Sequence, residues 1–387
     1  MAASISNQSN RSFRWAVACL FFLQGFCFAS WASRIPTIQQ QLNLSVTWLG
    51  VILLALPVGS MLALTISGWL VTRFGSKRIA FIALTLYSII LFMLGVANQV
   101  SFLVLVLILF GMAGNISNIA INTQAVGVEM KYGRSIMASF HGFWSFAGFT
   151  AAGIGSLMIR YSITPLYHFL LVMALILMGT SICYRYLVPD EKSTGSRAPL
   201  FVKPDKTLWK LGIIAFCCMI CEGAMFDWSG IYFKKVVQAD KNWLGAGYTA
   251  FMCTMATGRF LADKIVIRLG FIRTIQLSGL LIAGGLSLAI LFPYVPSAIA
   301  GFFIVGFGVS SVVPLVYSQA GRSPTMSPGM ALAAVSSIGF LGFLVGPPLI
   351  GLVAGIFSLR ISFLIIGMIG IIVVLIARTS TLGSDTK

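Results

Sequence analysis

Acidic side chains are almost missing: nine Asp and Glu serve 387 residues, against 26 Lys and Arg, and charged residues make up 9% of the chain while hydrophobic ones make up 58%. So little polar surface cannot cover a water-soluble globule of this length, and lipid must solvate the exterior. A GxxxxGK[ST] phosphate loop is also absent, which excludes ATP as the direct energy source. The basic residues do not gather on one helix face with interleaved aromatics, so the net charge of +17 does not point to nucleic acid. The seven Cys fall within or at the ends of apolar runs, where disulfides are not expected. Cys218 and Cys221 mimic a CxxC pair, but no second ligand pair follows; they read as small packing residues, and neither a metal nor another cofactor is expected. Residues 1–14 carry Arg11 and Arg14 ahead of an apolar run, yet no small-residue cleavage site follows, and the run continues from Trp15 through Trp31 to Pro36.

What the sequence does have is a succession of apolar runs, each close to the roughly 20 residues that cross a bilayer. Breaks at charge, Pro and Asn clusters predict spans at 15–37, 45–72, 78–97, 101–126, 135–158, 165–187, 208–234, 244–263, 273–292, 297–318, 330–356 and 359–378. The expected fold is an all-α membrane protein of twelve transmembrane helices. Placing the N-terminus in the cytoplasm leaves Arg34, Arg160, Lys234, Lys235, Lys241 and Arg360 outside and the other twenty Lys and Arg inside. Basic residues resist translocation, so both termini are expected to be cytoplasmic. The stretch 188–207, rich in Pro, Ser and mixed charge, reads as a cytoplasmic linker between a bundle at 15–187 and a bundle at 208–378. Residues 1–14 and 379–387 are then cytoplasmic tails.

The two halves repeat. Arg73, Gly75 and Arg78 match Arg268, Gly270 and Arg273 at a shift of 195, and the same shift carries Gly111 onto Gly306 and Gln124-Ala125 onto Gln319-Ala320. A shift of 194 aligns Phe146, Gly148 and Phe149 with Phe340, Gly342 and Phe343, and one of 197 aligns Trp31 with Trp228. Parallel six-helix repeats with a ligand site at their seam are a transporter plan.

The segment Gly68–Arg78, GWLVTRFGSKR, resembles the GxLxDRxGxRR loop between helices 2 and 3 of the major facilitator superfamily, with Thr72 in place of its Asp. In the second half GRFLADKIVIRLG offers Arg259 and Asp263, the acid lying a turn before the matching position. The stretches FHGFWSFAG at 140–148, EGAMFDWS at 222–229, GRFLADK at 258–264 and VVPLVYSQAGR at 312–322 are similar to the fucose-permease-like branch and its YbjJ-type bacterial inner-membrane proteins. The resemblance implies two pseudo-symmetric six-helix bundles, alternating access and a bacterial inner-membrane location. It also implies Arg73, Arg78, Arg259 and Asp263 as loop or gating residues. It does not dictate a cargo.

Ionisable groups at bilayer depth cost roughly 2.5–3.5 kcal/mol on insertion scales, which makes each a functional candidate. Glu222, near the middle of the seventh span, reads as an unpaired acid able to load and release a proton, or as a structural hydrogen-bond acceptor between helices. Asp227 follows toward the outer face; Arg34 would pair with it as an outer gate or snorkel to the headgroups. His141 is the third proton-coupling candidate, with a plain interhelical role as the alternative. His168 reads as interfacial. Asn115, Asn118 and Asn122 form one helical stripe of amides suited to sugar or polyol hydroxyls, with interhelical bonding as the alternative. Gln24, Phe143, Tyr317, Trp31 and Trp228 complete the solute-contact candidates, the two Trp because they recur in both halves. A membrane acyltransferase would need an acid near its His, whereas Phe146 stands five residues after His141, so no enzyme is expected. The leading expectation is a monomeric, proton-coupled carrier of a small polar solute; the alternatives are an exporter of a metabolite or drug, or a transporter-like sensor.

Overall fold

The computed structural model describes residues 10–44, 46–189, 203–240, 243 and 246–378. Residues 1–9 and 379–387 of the expected tails and 190–202 of the expected linker, with Lys192, Arg197, Lys241 and Lys387, lie outside the described residues. Among those described there are fourteen helices and no strands. They are α1 (Asn10–Gln41), α2 (Val46–Leu53), α3 (Ala55–Phe74), α4 (Ser76–Gly95), α5 (Val100–Tyr132), α6 (Met137–Arg160) and α7 (Pro165–Tyr184). After the linker come α8 (Lys206–Lys235), α9 (Ala246–Leu269), α10 (Phe271–Leu291), α11 (Val295–Ser310), α12 (Val312–Ala320), α13 (Pro328–Ile356) and α14 (Leu359–Arg378).

Ten stretches are long and apolar enough to cross a membrane, α11 and α12 counting together as Val295–Ala320, and a pair over Val51–Phe74 bent by 48° makes an eleventh. The twelfth span is α9, whose Arg259, Asp263, Lys264 and Arg268 dilute its apolar content. The expected second and tenth spans are each interrupted by one residue outside the helix, Leu54 and Ser311, and the 48° bend of the second falls between Leu64 and Ile66. Two expected ends fall short. The fourth span runs to Tyr132 rather than 126, and the eighth to Leu269 rather than 263, because Glu129 and Asp263 are buried and bonded instead of marking loops.

The chain divides into two compact units. The first comprises Met1–Gly133, Phe143–Lys203 and Gly321–Ala333; the second comprises Arg134–Gly142, Pro204–Ala320 and Ala334–Lys387. The start of α6 therefore belongs to the second unit and the start of α13 to the first. Within each unit the repeat is visible in the helix crossings. A Cβ at Gly111 would run into the Leu56 carbonyl, and one at Gly306 would run into the Phe251 carbonyl; Leu56 and Phe251 are themselves 195 residues apart. Small residues let helix backbones touch where lipid offers no hydrophobic drive to associate. The joins α3–α4 and α9–α10 also match, turning at Gly75 (φ 86°) and Gly270 (φ 78°), a region L residues rarely enter.

Burial follows from the solvent. Leu86, Leu105, Leu280 and Leu375 are exposed on the helices, as lipid-facing side chains should be. The interior of the second unit is aromatic: Phe302 and Phe363 stack at 5.9 Å, Tyr232 lies 4.4 Å from Phe363, and the Tyr232 hydroxyl donates to the Ala289 carbonyl at 3.0 Å. In the first unit Tyr87 stacks on Phe110 at 4.2 Å.

Candidate functional site

Glu222 on α8 is not the unpaired acid that its sequence neighbourhood suggests. Its Oε1 lies 3.6 Å from Nη2 of Arg259 on α9, with both side chains about nine-tenths buried. Arg259, expected at a cytoplasmic loop, stands instead inside α9, a turn before the buried Asp263. Burying two opposite charges side by side avoids the large cost of burying either alone. His141 stands within Coulombic reach of Arg259, and its ring meets Tyr317 of α12 edge-on at 6.1 Å. The Tyr317 hydroxyl accepts a hydrogen bond from Ser336 Oγ of α13 at 2.9 Å. Tyr248 of α9 is within Coulombic reach of both Glu222 and Asp227. Asp227 is exposed, and Trp228 is half-buried with its indole against Gly351. The second unit thus assembles an acid, a guanidinium, an imidazole and two phenols within one polar cluster.

The first unit holds amides instead of charges. Gln24 Nε2 donates to the Gly114 carbonyl at 3.2 Å, which sets the α1 amide beside the start of the Asn stripe on α5. Asn115 Oδ1 accepts from Ser67 Oγ at 2.9 Å. Gln24 Oε1, Asn115 Nδ2 and Asn118 Oδ1 are buried without a hydrogen-bond partner, two acceptors and one donor in need of polar company. Asn122 differs: its amide donates to the Asn118 carbonyl of its own helix. Gln124 clamps both the N–H and the carbonyl of Val188, a structural tie between α5 and the segment that follows α7. Trp31 is buried against Phe110, and Phe143 meets Trp15 edge-on at 5.9 Å.

The expected gating residues separate. Arg73 is exposed and lies over the Trp69 ring at 5.1 Å, and Arg78 is exposed at the start of α4. Asp263 is buried and accepts from the backbone N–H groups of Ala138 (3.0 Å) and Ser139 (2.8 Å) and from the Ser139 hydroxyl. A carboxylate there satisfies orphan donors of the first turn of α6 and suits the positive end of its dipole. Thr72 Oγ1 meets Ser327 Oγ, just before α13, at 2.8 Å. Arg34 is 1% exposed and donates to the Ile163 carbonyl, and His168 is wholly buried rather than interfacial.

Sequence reasoning passed over Glu129, fully buried in α5 and held by Arg322 at 2.9 Å. Scarcity was the available signal: with nine acids in the chain, one standing three residues past an apolar run was worth pairing. Removing its partner should be informative. Arg322→Gln is expected to lower stability by about 1–3 kcal/mol, the range for losing a hydrogen bond to a buried charged group, with Glu129→Gln/Arg322→Gln recovering most of it. Thermal melting of the purified variants checks this; equal loss in the single and double variants would show the pair contributes nothing.

Helical bundles with apolar outer faces and polar side chains inside are the parts of a multi-pass membrane transporter. The chain belongs to the major facilitator superfamily: the family model, described as Major Facilitator Superfamily, matches residues 16–327. An uncharacterized MFS-type transporter of Yersinia pestis is 32% identical over 93% of this chain and 94% of its own length. The membrane protein MosC of Rhizobium meliloti is 31% identical over 92% of this chain and 88% of its own. Among solved structures, FucP in the outward conformation superposes with a TM-score of 0.81 at 14% identity, covering 95% of this chain and 99% of that one. The proton:xylose symporter XylE gives 0.74 at 14% identity, over 96% and 95%. At that identity the likeness establishes the fold: twelve transmembrane helices in two pseudo-symmetric six-helix bundles.

Proposed function

We propose that the chain is a proton-coupled secondary transporter that carries a small neutral polar solute, sugar-like or polyol-like, into a bacterial cell by alternating access. The observation that carries the coupling is the Glu222–Arg259 pair. At 3.6 Å the pair lacks the 2.7–2.9 Å contact of a well-formed charge-assisted hydrogen bond, so charge rather than a tight hydrogen bond holds Arg259 to Glu222, and a proton on Glu222 would cancel that hold. His141 and Tyr317 supply neighbouring groups through which that proton or a solute hydroxyl could be held. The unpartnered Gln24, Asn115 and Asn118 atoms favour a hydroxylated cargo, because amides both donate and accept. Two structures of like fold are described as a fucose:proton symporter and a proton:xylose symporter, which agrees with this cargo class. We take the chain to be a monomer of the inner membrane; that both its termini are cytoplasmic rests on the distribution of Lys and Arg.

The test uses proteoliposomes loaded with a pH-sensitive dye and challenged with a panel of pentoses, hexoses and polyols. A solute that drives proton influx in the wild type is expected to drive none with Glu222→Gln, while exchange of labelled for unlabelled solute persists. Unchanged proton influx in that variant would remove Glu222 from the coupling. Proton efflux on addition of solute would reverse the direction and favour export, and binding without flux would favour a sensor.

A further inference from the structure

We propose that Arg34, His168 and Ser30 hold a small monovalent anion, a halide or a short carboxylate, inside the first unit. Arg34 sits near the end of α1 with 1% of its surface exposed, and one guanidinium nitrogen, Nη2, donates to the Ile163 carbonyl in the turn between α6 and α7. Its Nε and Nη1 are buried and have no hydrogen-bond partner. His168, in the first turn of α7, is wholly buried, lies within Coulombic reach of Arg34, and has no partner at either ring nitrogen. Ser30 stands one turn before Arg34 on α1, wholly buried, its hydroxyl unpartnered. Guanidinium, imidazole and hydroxyl all carry N–H or O–H groups to donate, whatever the protonation state of the imidazole.

A buried cation needs a counter-charge, and the first unit has almost none to give. Among its described residues Glu129 is the one carboxylate, and Arg322 already holds it. Among the described residues of the unit, no acid is left to balance Arg34. Gly155 on α6 lets α1 pack closely beside His168: a Cβ there would collide with the Ser33 hydroxyl and stand 3.8 Å from His168 Cε1, so the Arg34 end of α1 and the start of α7 are held near one another. The start of α7, where Thr164 offers no side-chain cap, adds the positive end of a helix dipole, a favourable field for negative charge. The anion would fix the turn between α6 and α7 against α1, a role separate from the Glu222 chemistry.

The test is thermal melting of the purified full-length chain in detergent, with ionic strength held constant by sodium gluconate while chloride, bromide or formate replaces it. Binding to the folded state raises the melting temperature with a saturating dependence on ligand. The expected result is such a rise with chloride and bromide in the wild type, an apparent affinity at least tenfold weaker with Arg34→Gln, and one several-fold weaker with His168→Phe. A rise with formate alone assigns the site to a carboxylate and supports the proposal. Equal melting in all four anions overturns it, as does a chloride effect of the same size in Arg34→Gln. Should Arg34→Gln fail to fold, crystals of the unaltered chain grown in bromide decide the matter: an anomalous peak at hydrogen-bond distance from the Arg34 guanidinium supports the site, and its absence overturns it.

Discussion

Arg259→Leu is expected to abolish solute-driven proton influx in proteoliposomes and to cost about 3–5 kcal/mol of stability, the penalty for breaking a buried pair and stranding one charge. The stranded group is Glu222, whose side chain is 12% exposed and has no other ion-pair partner within 4 Å among the described residues. Adding Glu222→Gln to Arg259→Leu should restore most of the stability, since a neutral amide tolerates burial better than a lone carboxylate. It should not restore coupling, which needs a group able to take up a proton. Melting curves and dye-reported proton flux on the same preparations separate the two effects. Arg259→Leu melting with the wild type would show that the pair is neither buried nor coupled as described.

The second large effect is steric. Gly111→Ala is expected to destabilise the first unit by about 1–3 kcal/mol, the usual range for forcing an extra carbon into a packed contact. The added methyl meets the Leu56 carbonyl, an obligatory backbone group that cannot step aside as a side-chain end can. Gly306→Ala should behave alike, because its methyl meets the Phe251 carbonyl and Thr254 Oγ1. The contrast is Gly148→Ala, where a Cβ meets nothing within 4 Å. That change is expected to be neutral or slightly stabilising, since Ala is the better helix former. Fluorescence-detected size exclusion with a temperature ramp would rank the three. A Gly148→Ala loss equal to that of Gly111→Ala would contradict the crossing geometry.

Most of the fold was legible because the bilayer imposes it: backbone groups must be satisfied within each span, so apolar runs and helices coincide. The repeat was legible for a related reason. Gly75 and Gly270 share a positive φ, and Gly111 and Gly306 share a crossing, so both copies need the same residue. What hydropathy could not reveal was the fate of buried charge. Glu129, Arg259 and Asp263 all look like loop residues to a hydropathy scale, and all three are buried because partners distant in sequence receive them. Arg259 meets an acid 37 positions earlier and Glu129 a base 193 positions later, separations that no local pattern encodes. The breaks at Leu54 and Ser311 each lie three residues before a proline, Pro57 and Pro314, whose missing N–H leaves the carbonyl of Leu53 or Ser310 without its helical bond; hydropathy alone does not register this.

The least apolar span has a consequence for how the chain reaches the membrane at all. Taken alone, α9 presents a guanidinium to lipid at its middle, and a centrally placed Arg costs roughly 2.5–3.5 kcal/mol on insertion. The span before it ends at Lys235 and carries Glu222. If α8 waits at the insertion machinery until α9 emerges, the acid can neutralise the base before either faces hydrocarbon, and the two spans enter as a hairpin. Membrane integration of the second half is then ordered by charge matching between consecutive spans, with the same two side chains that are assigned to coupling serving first as the chain's assembly partners.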